Sequence, residues 1–159
     1  MGLVLREATL ADATLLAELT RSAWRQTVAV TSSGHRETAV QVAEHLQHGG
    51  GFILLVDDQP AGAVRWLPVD GAADVWQILR MGVLPDYRGR HLSQHLLEAV
   101  LHHAQSCDVD ELRLAVRAEQ TRLVHLYAAY GFEVAPELEY GLANPVEPPP
   151  VVMRRRLRR

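Results

Sequence analysis

Apolar residues recur every three or four positions in four segments of the chain, and this spacing predicts four helices, each with one buried face. The first begins after the cap residues of 9–12 and ends at the polar stretch 31–34. The second covers about 37–47 and ends at the glycines 49–51, the third covers about 91–105, and the fourth covers 121–130 with Gly131 as its C-cap. The predicted inner faces consist of Leu15, Leu16, Leu19 and Ala23 in the first helix, Val40, Ala43 and Leu46 in the second, and Leu92, Leu96, Leu97, Val100 and Ala104 in the third.

Shorter apolar runs bounded by turn residues predict seven strands, at 3–8, 52–56, 61–69, 75–83, 111–116, 132–135 and 151–156. Turns are predicted at 57–60 and at Asp70–Gly71. The alternation of the fourth strand is disturbed near Met81–Gly82, where a glycine permits a bulge or the close approach of a ligand. The order β-α-α-β-β-β-α-β-α-β-β predicts an α/β fold, with helices on both faces of a mixed sheet.

Length and composition are those of one domain covering 1–159. The chain of 159 residues is 48% hydrophobic, which suffices for a sizeable core, and no apolar run reaches the length of a membrane span. The N-terminus lacks the basic start and long apolar stretch of a signal peptide, and the lone Cys107 can form no internal disulfide. We therefore expect a cytoplasmic protein without a membrane partner.

The charge balance argues against nucleic-acid binding as the main function, because the formal net charge is −3. All 16 basic residues are arginine, and five of them lie in the arginine-rich C-terminal end, 154–159. We interpret this end as a solvated strand and tail rather than as a docking patch.

The segment 88–93 is the candidate phosphate site. An apolar strand runs through a short turn at Pro85 into this basic loop, which opens the third helix. Gly89 lets the main chain turn tightly and approach a ligand, while the first turn of the helix presents unpaired N–H groups and a positive dipole end. Arg88 and Arg90 add positive charge. A basic loop before a helix is by itself more often a solvated helix start.

Two motifs together resemble the GNAT superfamily of acyl-CoA-dependent N-acyltransferases. The phosphate motif of that family, Q/R-x-x-G-x-G/A, falls on Arg88-Gly89-Arg90-His91-Leu92-Ser93, and its L-Y-x-x-x-G-F signature falls on the segment from Leu126 to Phe132. The resemblance implies the GNAT fold, with a mixed, mostly antiparallel sheet flanked by helices. His91 replaces the first motif glycine, and Ser93 stands where glycine or alanine is usual; both departures are compatible with a loop that binds mainly through backbone N–H groups.

The same resemblance implies how acetyl-CoA would be bound. Residues 88–94 would hold the pyrophosphate, and the backbone of Met81, Gly82 and Val83 would pair with the pantetheine arm like an added strand. One N–H there would polarise the thioester carbonyl. Gln120 falls where the family often has an asparagine that contacts the cofactor. The expected cofactor-binding residues are thus Met81, Gly82, Val83, Arg88, Gly89, Arg90, His91, Leu92, Ser93, Gln94 and Gln120.

Tyr127 is the candidate catalytic acid, because a phenol near the sulfur can protonate the departing CoA thiolate. The alternative is a core tyrosine whose hydroxyl is bonded nearby. No general base can be named. Family members often carry a carboxylate on the fourth or fifth strand, but Gln77 and Ala115 occupy those places here. A water chain, Asp74, Glu119 or an amine that binds already neutral remain open.

Other polar and aromatic residues have weaker claims to a site. The spacings His45-x-x-His48 and His91-x-x-x-His95 suit one helix face, but no cysteine or carboxylate cluster completes a ligand set, so we expect no metal. Either Trp24 or Trp66 could line an acceptor pocket, although core or rim packing is at least as good an interpretation for each. Trp76 is also singled out, without a role. Arg25 is a candidate partner for an acceptor carboxylate.

The sequence therefore predicts an N-acetyltransferase that moves an acetyl group from acetyl-CoA to a primary amine by direct attack in a ternary complex. The acceptor would be a small-molecule amine or a peptide amine, and a homodimer is in line with the family. The main alternative is a non-catalytic acyl-CoA-binding or sensing module, because the usual carboxylates are missing. Nucleic-acid binding through the arginine-rich end ranks last.

Overall fold

The computed structural model describes residues 2–24, 37–138 and 148–157, and its helices and strands follow the predicted order. Short 3-10 turns at Leu10–Asp12 and Pro85–Tyr87 precede the first and third helices. The strands are β1 Leu3–Glu7, β2 Gly50–Val56, β3 Gln59–Val69, β4 Ala72–Val83, β5 Glu111–Val116, β6 Glu133–Val134 and β7 Val151–Arg156, and the helices are α1 Ala13–Trp24, α2 Ala39–His48, α3 Leu92–Ser106 and α4 Thr121–Ala129. The predicted end of the first helix at 31–34 lies outside the described residues.

The seven strands form one mixed sheet in the order β1-β2-β3-β4-β5-β7-β6. Every neighbouring pair is antiparallel except β4 and β5, which run parallel. The α/β fold class with a mostly antiparallel sheet is thereby confirmed. The parallel pairing extends only from Val75↔Glu111 to Gln77↔Arg113, and beyond it the two strands are no longer paired with each other.

The sheet is covered on both faces, as the element order predicted. Neighbouring residues of β2 show this, because Leu54 belongs to the core under α3 whereas Ile53 belongs to the core under α1 and α2. The predicted inner face of α3 is confirmed, since its residues Leu92, Leu96, Leu97, Val100 and Ala104 are all buried. Full burial of a leucine-sized side chain contributes about 1.5–3 kcal/mol each, so these stripes fix the helices on the sheet.

The predicted inner face of α2 is wrong at one position. Val40 is 71% exposed, whereas Val42 is fully buried. The helix begins at Ala39 and not at 37, because Thr38 is its N-cap: the Thr38 hydroxyl accepts from the Gln41 N–H, and the Gln41 side chain accepts from the Thr38 N–H. The buried stripe therefore runs through Ala39, Val42, Ala43 and Leu46, and only the last two were predicted.

The glycine run 49–51 ends α2 and also begins β2. Gly49 is the C-cap, but Gly50 and Gly51 already belong to β2, two residues before the predicted start of that strand. A Cβ on Gly51 would lie 2.8 Å from the carbonyl oxygen of Val64, and one on Gly50 would lie 2.4 Å from the Trp66 ring. Glycine is required here because β3 packs too close for any side chain.

The C-terminal strand β7 lies between β5 and β6, and its arginines contact acidic or backbone groups. Arg154 lies 2.9 Å from a Glu137 carboxylate oxygen, and Arg156 lies 3.8 Å from Glu111. Arg155 donates to the Tyr130 carbonyl at 2.8 Å. In the described ranges, no helix is long and apolar enough to cross a membrane.

Candidate functional site

A cleft opens where β4 separates from β5. Residues 78–83 of β4 pair with β3 on one side, and no strand in the described part of the chain pairs with their other edge. The register between β3 and β4 shifts so that Arg80 and Met81 together face Val64, which makes a β-bulge. The disturbed alternation near Met81–Gly82 permitted a bulge as one of two alternatives, and the observed bulge lies one residue earlier. The free edge of Met81, Gly82 and Val83 follows directly after it.

The basic loop connects this edge to the start of α3. The 3-10 turn Pro85–Tyr87 leads into a loop in which Gly89 has φ +81° and His91 has φ +58°. In the described part of the chain, no atom other than those of Gly89 and its two chain neighbours lies within 4 Å of where a Cβ on Gly89 would be. α3 begins at Leu92, whose side chain is buried, so that Leu92 has only its backbone to offer a ligand. A helix start of this kind suits a phosphate.

His91 occupies a position whose backbone conformation favours glycine. Its φ of +58° lies in the left-handed region, which strains every residue with a Cβ. This explains physically why the related motif has glycine there. The His91 side chain is exposed, and its Nδ1 lies 3.3 Å from the Gln94 side-chain nitrogen.

Arg88 supports the loop through main-chain contacts. Its Nε donates to the Val83 carbonyl at 3.1 Å, and its Nη2 donates to the Ala23 carbonyl at 2.5 Å. The guanidinium therefore joins the loop to the end of β4 and the end of α1, a role that the sequence did not suggest. Arg90 lies over the Tyr87 ring, with its Cζ 5.7 Å from the ring centre.

Tyr127 lies on α4, which follows β5 in the chain. Its side chain is 8% exposed and packs edge-on against Phe132, with ring centres 6.1 Å apart. Burial raises the pKa of Tyr127 to about 12, so the phenol keeps its proton at neutral pH. Among the described residues, none hydrogen-bonds its hydroxyl. The tyrosine is thus part of the core and also carries a proton without a nearby protein acceptor.

Gln120 lines an open cavity at the start of α4. It is the N-cap residue, and its backbone N–H donates to the Arg117 carbonyl at 2.9 Å. The cavity has a volume of about 490 Å³ and is lined by residues 119–123. Its place after β5 puts Gln120 beside the strand that separates from β4.

Comparison with known proteins identifies the family. The model of the Acetyltransferase (GNAT) family matches residues 16–132, which is most of the chain. The chain belongs to the GNAT acetyltransferase family. The GNAT resemblance drawn from the two sequence motifs is therefore confirmed.

Relatives of known sequence and structure agree with this membership. A mycothiol acetyltransferase of Beutenbergia cavernae is 31% identical over 136 residues, covering 79% of this chain and 46% of that protein. A second mycothiol acetyltransferase, from Propionibacterium freudenreichii, is 31% identical over 70 residues, which cover 22% of its length. The chain thus spans less than half the length of these curated relatives.

Solved GNAT structures share the fold at low sequence identity. The ribosomal-protein-S18-alanine N-acetyltransferase of Escherichia coli has a TM-score of 0.78 at 18% identity, covering 99% of this chain and 96% of that one. The PaiA N-acetyltransferase of Thermoplasma acidophilum, solved in complex with coenzyme A, has a TM-score of 0.77 at 15% identity, covering 98% and 99%.

The residues considered as bases differ in their distance from the cleft of this GNAT protein. The side-chain nitrogen of Gln77 donates a hydrogen bond to the Ile78 carbonyl at 3.2 Å, and Ala115 has no polar side chain. Asp74 lies at the opposite end of β4 from Met81, roughly 20 Å away along an extended strand. Glu119 lines the cavity beside Gln120. Only Glu119 of the two carboxylates therefore lies at the end of the sheet that carries the cleft.

A buried charged cluster was missed by the sequence analysis. Glu37, directly before α2, forms ion pairs with Arg65 of β3 and Arg80 of β4. His45 Nδ1 lies 2.9 Å from Arg65 Nη1, and burial, followed by the charge of Arg80, lowers the pKa of His45. The available signal was an arginine inside each of two apolar strands, since a buried arginine needs a partner.

Trp66, Trp76 and His103 pack together in the described part of the GNAT domain. The rings of Trp66 and Trp76 stack with centres 5.3 Å apart, and His103 lies beside both. Trp66 is 3% exposed and is therefore a core residue, which agrees with the packing interpretation. The side chain of Trp24 and all of Arg25 lie outside the described residues. Within residues 2–24, 37–138 and 148–157, no three His, Cys, Asp or Glu residues are grouped as metal ligands would be.

Proposed function

We propose that the chain is an acyl-CoA-dependent N-acetyltransferase that moves the acetyl group of acetyl-CoA to a primary amine by direct attack in a ternary complex. One observation carries the proposal: the free edge of β4 at Met81–Val83 runs through Pro85–Tyr87 into the loop at the start of α3. An extended ligand with an amide-bearing arm and a pyrophosphate fits this arrangement from end to end. The arm would pair with the edge and the pyrophosphate would bind at the helix start.

The residues present fit such a ligand in their local geometry. Gly89 turns with positive φ into open space, so a phosphate oxygen can approach the main chain there. The N–H groups at the first turn of α3 supply donors and a positive dipole end. Gln120 would contact the same cofactor from the start of α4.

Tyr127 is proposed as the general acid. In the proposed reaction, the nitrogen of the neutral amine forms a bond to the thioester carbon, the C–S bond breaks, and the thiolate takes a proton from the phenol. The proton that the nitrogen then loses passes through water and restores the phenol. At neutral pH the phenol of Tyr127 carries its proton, so it has one to give to the thiolate. A backbone N–H of the β4 edge would stabilise the oxyanion formed on the thioester carbonyl.

The amine would bind in its neutral form or lose its proton through water, and no side-chain base is assigned. Gln77 and Ala115 carry no carboxylate, which is why the acceptor's own protonation state is expected to matter. The acceptor is proposed to be a small-molecule amine or a peptide amine. Both classes occur among similar proteins, whose names specify mycothiol and a ribosomal-protein alanine.

A free-thiol release assay with acetyl-CoA tests the proposal. It uses a panel of small-molecule amines and peptides with a free N-terminus, and acetyl-CoA affinity is measured separately by calorimetry. We expect Tyr127→Phe to lower kcat by at least tenfold while acetyl-CoA affinity stays within threefold. Tyr130→Phe removes a hydroxyl from the same helix region as a comparison; because that hydroxyl donates to Gln94 and Glu98 of α3, any effect is expected on acetyl-CoA affinity and not on kcat. Equal losses of turnover and affinity in Tyr127→Phe would remove the acid assignment.

The missing carboxylates favour one second candidate, a non-catalytic module that binds or senses acyl-CoA. The same assay separates the two functions. A sensor would bind acetyl-CoA in the calorimeter and release no thiol with any amine of the panel, whereas an acetyltransferase releases thiol in step with the acetylated amine.

A further inference from the structure

Glu37 contacts both strands of the bulge that borders the proposed acyl-CoA site. One carboxylate oxygen pairs with Arg65, and the other lies 3.5 Å from Arg80 Nε. Arg80 is the first residue of the bulge on β4, and Arg65 follows the residue of β3 that faces the bulge, Val64. Glu37 therefore bridges the two sides of the irregularity from outside the sheet.

Arg80 has a backbone conformation that needs support. Its φ is +55°, in the left-handed region that is unfavourable for residues with a Cβ. Such conformations persist where surrounding contacts hold them. The carboxylate of Glu37 is one such contact, and Arg80 stands directly before Met81, Gly82 and Val83, the free edge proposed to pair with the pantetheine arm.

The contacts of Glu37 itself are fixed from α1, α2 and β3. Its side chain is 2% exposed, and its carbonyl accepts from Arg21 Nη1 at 2.5 Å. Arg65 is also held by the Thr20 hydroxyl at 3.3 Å and by His45 at 2.9 Å. The carboxylate thus acts from a rigid, buried frame. Because both its oxygens face guanidinium groups and it is buried, it is not placed to take a proton from an acceptor amine.

We infer that Glu37 is a positioning residue which, through Arg80, holds the β4 bulge in the form that presents the Met81–Val83 edge to acyl-CoA. This inference rests on the proposed function for its effect on catalysis. Whether Glu37 stabilises the bulge can be measured on the protein without an activity assay.

The first experiment compares Glu37→Gln with Met153→Ala, a control that removes buried volume from β7 without touching the bulge. We expect Glu37→Gln to weaken acetyl-CoA binding at least tenfold by calorimetry. Met153→Ala should leave the affinity within twofold, even if it lowers the Tm as much as Glu37→Gln does. The acidic limb of the pH profile of kcat/KM should keep its position in Glu37→Gln. Loss of that limb would identify Glu37 as a base and overturn the inference, as would unchanged binding.

The second experiment asks whether glycine at position 80 replaces the support. Glycine adopts positive φ without strain, so Glu37→Gln/Arg80→Gly should regain at least half of the lost affinity on a logarithmic scale. Glu37→Gln/Arg80→Met removes the same charge but keeps a Cβ, and should not recover. Equal recovery in both double variants would mean that Glu37 acts through charge alone, and would overturn the inference.

Amide hydrogen exchange of residues 80–83 separates this inference from the proposed function. Exchange should be faster in Glu37→Gln than in the wild type. It should return to the wild-type rate in Glu37→Gln/Arg80→Gly and not in Glu37→Gln/Arg80→Met. A wild-type chain that binds no acetyl-CoA would refute the proposed function while this readout still decides the inference. Where Glu37→Gln does not fold, Arg80→Gly and Arg80→Met in the wild-type chain replace it: faster exchange in Arg80→Met alone supports the inference, and equal exchange overturns it.

Discussion

Arg88 Nε donates to the carbonyl oxygen of Val83 at 3.1 Å, which joins the start of the basic loop to the last residue of β4. The same guanidinium also bonds the Ala23 carbonyl at the end of α1. These two carbonyls belong to the strand edge proposed for pantetheine and to the first helix. Arg88 therefore fixes the position of the loop relative to both, in addition to bringing charge to it.

Arg88→Lys tests this geometric role. Lysine keeps the charge but cannot span two carbonyls with a planar fork, so one hydrogen bond worth about 1 kcal/mol is lost. We expect acetyl-CoA affinity to fall about fivefold, as measured by calorimetry. Arg90→Lys is the control with the same chemistry on the same loop, and should change the affinity less. If the two variants behave alike, Arg88 contributes charge only.

His91→Gly should stabilise the protein. The left-handed φ of +58° costs a residue with a Cβ about 1–2 kcal/mol, whereas glycine loses more chain entropy on folding. The net expectation is a rise of about 0.5–1 kcal/mol in the free energy of unfolding, measured by urea denaturation. His91→Ala keeps the strain and also removes the contact with Gln94, so it should not stabilise. Equal effects of glycine and alanine would contradict the argument.

The sequence predicted the fold well because its strongest patterns are local. The apolar stripe of α3 and the limits of β5 depend on neighbours within one helix or strand, and both agree with the structure. The buried face of α2 was assigned less well, because the start of the helix depends on the Thr38–Gln41 capping box. The predicted start was two residues too early, and the predicted stripe included the exposed Val40.

The site was predicted through its main-chain features and missed in its side-chain contacts. The positive φ at Gly89 has a local signal in the sequence, namely the glycine itself, and the bulge near Met81 has one in the broken alternation of the strand. The pairing of Glu37 with Arg65 joins residues 28 positions apart. No local pattern encodes such a pair, because it forms only when the segment before α2 packs against the sheet.

Asp12 should stabilise the protein above pH 4 and not at low pH. The hydrogen bonds from Arg6 hold the pKa of Asp12 at about 2, below the usual 3.8. A lowered folded-state pKa gives stability that is present above the unfolded value and lost as the pH falls through about 2. Because Arg6 is exposed, solvent screening reduces the expected contribution to about 1 kcal/mol.

Asp12→Asn and Arg6→Met measure this contribution by urea denaturation at pH 6 and pH 2. Asparagine can still accept from the Thr9 N–H as Asp12 does, so that variant isolates the charge. Both variants should lose about 1 kcal/mol at pH 6 and approach the wild type at pH 2. A difference from the wild type that does not change with pH would exclude the ion pair as its source.

Tyr127 should make the protein lose stability at alkaline pH. Burial raises its folded-state pKa to about 12, from an ordinary value of 10, so the unfolded chain ionises first. The stability tied to the neutral phenol is complete below pH 10 and is lost as the pH rises through about 12. At pH 11 the loss relative to neutral pH is about 1.4 kcal/mol. Tyr127→Phe removes this dependence together with a hydroxyl that has no partner among the described residues.

Urea denaturation should therefore find Tyr127→Phe within about 0.5 kcal/mol of the wild type at pH 8 and more stable by about 1.4 kcal/mol at pH 11. A constant difference across this range would mean that the phenol is solvated in the folded protein, and would contradict its burial.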